Sequence, residues 1–158
     1  MVSQLLFLKK HLLFSNFLIF SFIVLLIPTF CFSGDSFDQL ILDRLSTDKK
    51  ILNLSGANID TRKAKILAEM ELLLTVETLL LQGNKIKYKG LKALARSPHA
   101  RNLKHLDLWG NMVGDLGLKA LAESPYIKGL EILKIWKNEI GDDSLEILAT
   151  SSNFKKLK

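Results

Sequence analysis

Few side chains in this sequence are placed to do covalent or acid–base chemistry. Cys31 is the only cysteine, which excludes an intramolecular disulfide, a cysteine-based zinc site and an iron–sulfur centre. His99 and His105 fall outside any H-E-x-x-H zinc pattern. Gly110, Gly114 and Gly117 cluster ahead of an apolar helical stripe, as in a phosphate loop, but the Lys-Ser/Thr that would complete a Walker motif is missing. They read instead as turn glycines. Asp142-Asp143 is a carboxylate pair that reads as a helix start, since a calcium loop requires more oxygen ligands. Asn53-Leu54-Ser55 is a glycosylation sequon falling on an expected strand. No catalytic residue, metal site or cofactor is expected.

Charge adds little to that picture. The 158 residues hold 22 Lys+Arg against 16 Asp+Glu, a net charge of +6. Setting aside Lys9 and Lys10, the only charges of the first 33 residues, leaves +4. Lys85, Lys87, Lys89 and Lys92 form a local positive cluster with only Tyr88 as a neighbouring aromatic. Nucleic-acid surfaces interleave such charge with stacking rings, so the cluster reads as a solvated edge and no nucleic-acid partner is expected.

The N-terminus looks like an address. Lys9, Lys10 and His11 precede the run Phe17–Ile27, whose only polar member is Ser21, and Pro28 follows. A basic n-region, an apolar h-region and small residues at Cys31 and Ser33 predict a signal peptide over residues 1–33, cut after Ser33. The alternative is a retained anchor over residues 12–32, about the length that crosses a bilayer. The corresponding locations are secreted, periplasmic or cell-surface in the first case, and membrane-anchored in the second.

The elements that must position everything else come from a sequence period. Val76–Asn102, Leu103–Gly129 and Leu130–Lys156 align without a gap at an offset of 27 residues. Each reads aliphatic-x-x-Leu-x-(Leu/Ile)-x-x-Asn-x-(Ile/Val), a polar turn, then Leu-x-x-Leu-Ala. A degenerate unit, Lys49–Thr75, precedes them and has Ala57 where the others have asparagine. This pattern resembles the leucine-rich repeat family, and a 27-residue unit with a helical second half is similar to its ribonuclease-inhibitor-like subclass. The resemblance covers about two thirds of the chain. It implies an α/β fold: a right-handed solenoid arc with a parallel sheet on the concave face and helices on the convex one.

Elementary geometry leads the same way. Leu106 and Leu108 are two apart, so a strand points both to one side while His105, Asp107 and Trp109 face the other. Leu118, Leu121 and Ala122 fall at i, i+3 and i+4, one stripe of a helix. Neither element can enclose a core alone, whereas stacked units cover one another. Asn84, Asn111 and Asn138 stand where the chain leaves each strand, and a ladder of their amides would satisfy the buried backbone there. Gly83 and Gly110 suit unusual dihedrals beside that ladder. Asp115 and Asp142 are placed to cap the following helices, and Pro98 and Pro125, with Ser97 and Ser124, to end the preceding ones. Residues 34–48 form a capping helix opened by Ser36-Phe37-Asp38-Gln39, with Phe37, Leu40, Ile41 and Leu45 on one side. Phe154–Lys158 repeats the register of Ile127–Glu131, predicting an open apolar flank that belongs to a truncated product, to a fragment of a longer array, or to an end-to-end pair with another copy.

If the strands line a concave face, its rows are Ile51, Asn53, Ser55; Thr78, Leu80, Gln82; His105, Asp107, Trp109; and Ile132, Lys134, Trp136. Both tryptophans take the same repeat position, so they should be neighbours, and exposed indoles are favoured binding anchors. Trp109, Trp136, His105, Asp107, Lys134 and Gln82 are the expected partner-binding residues. The family resemblance implies a non-enzymatic scaffold for a protein or peptide ligand. The alternative is a vestigial fragment with a structural role only.

Overall fold

Leu52, Leu79, Leu106 and Leu133 lie in file across four parallel strands. The computed structural model describes residues 36–158, and the expected address segment, with its cut site or anchor, lies outside the described residues. The strands are β1 Ile51–Asn53, β2 Thr78–Leu80, β3 His105–Asp107 and β4 Ile132–Lys134. They pair in sequence order in one open sheet. Thr78 stands opposite Ile51, His105 opposite Thr78 and Ile132 opposite His105, so one coil of chain separates each residue from its partner. Because side chains alternate along a strand, the central leucines of β1 to β3 are fully buried while Ile51, Asn53, Ile132 and Lys134 are exposed on the other side.

Each strand is followed by a turn and a helix that returns the chain. The helices of the coils are α2 Thr61–Glu69, α3 Tyr88–Ala95, α4 Gly114–Ala122 and α5 Asp143–Thr150. α1, Ser36–Arg44, precedes β1. α3 buries Leu91, Leu94 and Ala95, and α4 buries Leu118, Leu121 and Ala122, the i, i+3, i+4 stripe that one helical face requires. These stripes pack with the strand leucines into one continuous core. Each fully buried leucine contributes about 2 kcal/mol of hydrophobic stabilisation. α1 adds Phe37 and Ile41 to the same core, with Leu40 and Leu45 half-buried beside it, so the β1 end of the stack is covered.

Several local expectations are corrected. Gly117 is not a turn glycine: it lies buried inside α4, where a Cβ would meet Val113 Cβ at 2.9 Å and Leu91 Cδ2 at 3.3 Å. Its lack of a side chain lets α4 approach α3. Gly90, in the preceding coil, likewise lets α3 approach α2, facing Ala64. Asp115 and Asp142 do not cap α4 and α5 with their side chains. Asp115 sits in the first turn of α4 and its Oδ1 accepts instead from Gly141 N, at 2.9 Å, and from Ser144 Oγ in the next coil. Its carboxylate thereby ties two coils together. Asp60 does cap its helix, accepting from Lys63 N at 2.8 Å. Pro98 does not terminate α3, which ends at Ala95; it opens a short 3-10 turn, Pro98–Asn102, where a missing N–H costs nothing. No described helix is long and apolar enough to cross a membrane.

Candidate functional site

The site is set by how the chain leaves each strand. Asn84 donates from Nδ2 to Leu54 O and Leu81 O at 2.9 and 2.8 Å, and its Oδ1 accepts from Ile59 N at 2.8 Å. Asn111 repeats this with Leu81 O, Leu108 O and Ile86 N, and Asn138 with Leu108 O, Ile135 O and Val113 N. All three amides are buried. Each therefore bonds its own turn to the coil before it, satisfying backbone groups that water cannot reach. Gly83 and Gly110 precede two of them at φ of +66° and +67°. Lys137 holds the equivalent place before Asn138 at φ +56° without being glycine.

A second spine runs along the opposite ends of the helices, and sequence reasoning misses it. Ser97 Oγ donates to Ala68 O, Ser124 Oγ to Ala95 O and Ser151 Oγ to Ala122 O. The signal is visible, since these serines recur at the sequence period. Serine is common wherever helices stop, and that ordinary role hides the bond between coils.

The three-residue strands end earlier than the alternation suggests, which moves part of the expected binding row. Gln82, Trp109 and Trp136 lie in the turns after β2, β3 and β4, not on the strands. The cause is the early pull of the chain toward the asparagine ladder, together with Asp107, whose Oδ1 accepts from Trp109 N at 3.0 Å. The two tryptophans still belong to adjacent coils, for Gly110 N donates to Trp136 O at 2.9 Å. Trp109 is 42% exposed and Trp136 75%. The Lys137 ammonium stands 4.9 Å from the centre of the Trp109 ring, within cation–π range. Lys137 is thus a site residue that the sequence does not single out.

Asp107 requires a correction. It is only 3% exposed, so its carboxylate is no free contact for a partner. One oxygen holds the Trp109 N–H and the other lies 3.6 Å from Lys134 Nζ. Its work is to shape the turn that presents Trp109. Lys134, exposed on β4, is drawn to Asp107 and not to the indoles. His105 is half-buried, and its Nε2 is shielded without a hydrogen-bond partner among the described residues. Burial holds its pKa below the ordinary imidazole value, the Lys134 ammonium adds to that, and Asp107 partly opposes it. Gln82 is half-buried, and its carbonyl accepts from Gly56 N.

Beside Trp136 lies an apolar groove of about 520 Å³, lined by Leu133, Ile135, Ile140, Leu148 and Leu157 with Lys137 and Glu139 at its margin. A partly exposed indole, an ammonium and an apolar trough form a surface suited to noncovalent contact with an amphipathic chain. Among the described residues, no group of three His, Cys, Asp or Glu side chains is arranged to hold a metal ion.

Taken together, an open parallel sheet, one helix per coil and a buried amide ladder define an α/β solenoid. The leucine-rich repeat model matches residues 73–95 and 99–122, so two stretches of the stack match leucine-rich repeats. A search of curated proteins finds no match.

Proposed function

We propose that this protein is a non-enzymatic recognition scaffold that holds a protein or peptide partner against the solvent side of its sheet and the turns that follow. The observation that carries the reading is the pair of exposed tryptophans in adjacent coils, with Lys137 against one ring and the apolar groove beside the other. Tryptophan offers a large contact area for little rotamer entropy, which is why it dominates interface energetics. Solenoids of stacked repeats commonly use the sheet side as an extended binding surface. The contacts we assign are Trp109, Trp136, Lys137, Lys134 and Gln82, with His105 at the base and Asp107 as support. The apolar N-terminal segment supports placement of the protein outside the cytoplasm, secreted or held at the envelope.

The experiment is selection of peptides from a displayed random library on the immobilised protein, followed by titration against Trp109→Ala and Trp136→Ala. Selected peptides are expected to lose more than about 1 kcal/mol of binding in at least one variant, with unchanged circular dichroism. Equal affinity for both variants and wild type would place the interface elsewhere.

A further inference from the structure

The turns leading into α2, α3 and α4 stack on one another, the first two joined by the hydrogen bond from Lys85 N to Ile59 O and the bridge Asp60–Lys85, the last two by the bridge Lys87–Met112. Their side chains surround a depression of about 840 Å³. Arg62 and Lys65 reach it from α2, and Lys85, Lys87 and Lys89 from the next turn and the start of α3. Among the described residues, none of these five cations takes part in an ion pair. The single carboxylate of the lining, Asp60, is committed to Lys63 N as a helix cap. Tyr88 and Met112 are exposed in the same depression. Five like charges held this close repel one another and concentrate a positive field that an anionic ligand relieves.

The tract also has a boundary. On the same edge, the next two coils carry Asp115, Glu139 and Asp142, all exposed. Hydrogen bonds from Ser144 and Gly141 hold the Asp115 carboxyl below its ordinary pKa, so it stays ionised at neutral pH. The edge therefore changes from basic to acidic along the stack. A flat anionic membrane, or a long polyanion lying along the edge, would meet these carboxylates. A short acidic chain crossing only the first two coils would not, and Tyr88 and Met112 offer an apolar contact for it.

We infer that this edge is a second docking surface, separate from the tryptophan face, whose occupant is a short carboxylate-rich segment of a protein partner with an apolar residue among its acids. The test is an anisotropy titration of the full chain with a short fluorescein-labelled, glutamate-rich peptide carrying one central phenylalanine. Saturable, salt-sensitive binding is expected, weakened at least about tenfold by Lys85→Glu with Lys87→Glu and also weakened by Tyr88→Ala. The charge-matched control Lys128→Glu with Lys155→Glu, away from the depression, should keep affinity within about twofold. Trp136→Ala should bind as wild type does, which separates this surface from the proposed sheet-side one. Absence of saturable binding, or an equal loss in the control, overturns the inference. So does tighter, Lys85- and Lys87-dependent binding to phosphatidylserine vesicles than to the peptide, which would assign the edge to a membrane.

Discussion

Asn111 Nδ2 lies 2.9 Å from the Leu81 carbonyl of the preceding coil while its Oδ1 accepts from Ile86 N at 3.0 Å, so one amide closes the gap between two turns. Replacing it strands the Ile86 N–H in a site that excludes water and takes one of the two amide donors from each of Leu81 O and Leu108 O, which keep those of Asn84 and Asn138. Each such buried group costs about 1–3 kcal/mol when unpaired. Asn111→Ala should therefore lower unfolding stability by about 1–3 kcal/mol in urea denaturation. Ser124→Ala, which breaks the other spine, should cost about 1–2 kcal/mol. The double variant should sum the two, because the spines share no partner; a strongly non-additive result would show them to be coupled.

Gly110 and Lys137 occupy equivalent positions with left-handed backbones, at φ +67° and +56°. A Cβ on Gly110 would have nothing nearer than Gly83 at 3.7 Å, so any cost of substitution is conformational and not steric. Gly110→Ala should destabilise by about 1 kcal/mol, and Lys137→Gly should stabilise by about 0.5–1 kcal/mol. Opposite shifts of the two melting temperatures would verify the pair of statements. The Lys137 variant should also weaken binding of peptides selected on the tryptophan face, since the cation over Trp109 is gone.

Gly117→Ala should destabilise despite the better helix propensity of alanine. The new Cβ would lie 2.9 Å from Val113 Cβ at the start of its own helix and 3.3 Å from Leu91 Cδ2 of α3, so the first turn must distort and α4 must move away from α3. Overpacking of this kind costs about 1–3 kcal/mol, against a propensity gain of about 1 kcal/mol. A rise in thermal stability would mean that the helices do not approach so closely.

His105 gives the fold a pH dependence near neutrality. Its pKa is lowered in the folded chain, so the unfolded chain takes up a proton first as pH falls. Stability should decline from about pH 7.5 as the medium passes the unfolded value near 6.5, and level off once the folded imidazole also protonates. Thermal melts of wild type and His105→Gln across this window should diverge, the variant giving the flatter profile. The lowered carboxylates Asp48, Glu77, Asp115 and Glu131 act in a separate, more acidic range.

How much is legible in the residues differs between the scaffold and the site. A hydrogen bond or a packed leucine that recurs in every coil leaves its mark as a recurring residue type, so Leu79, Leu106 and Leu133, and the three asparagines, announce their places before any coordinates. Both tryptophans announce their shared position for the same reason. The sequence by itself therefore determined a stack of strand-and-helix coils, its inward leucines and its buried amides, because these depend on contacts repeated at fixed spacing. Only the tertiary structure decided that the strands stop short of the indoles, that Asp107 turns inward to hold the Trp109 N–H, and that Lys137 covers one ring. It alone placed Arg62 and Lys65 beside Lys85 and Lys87. Apart from the Asp107–Trp109 bond, which lies within one coil, these relations join non-equivalent side chains of different coils, and which of them meet depends on how each turn is drawn back against its neighbour.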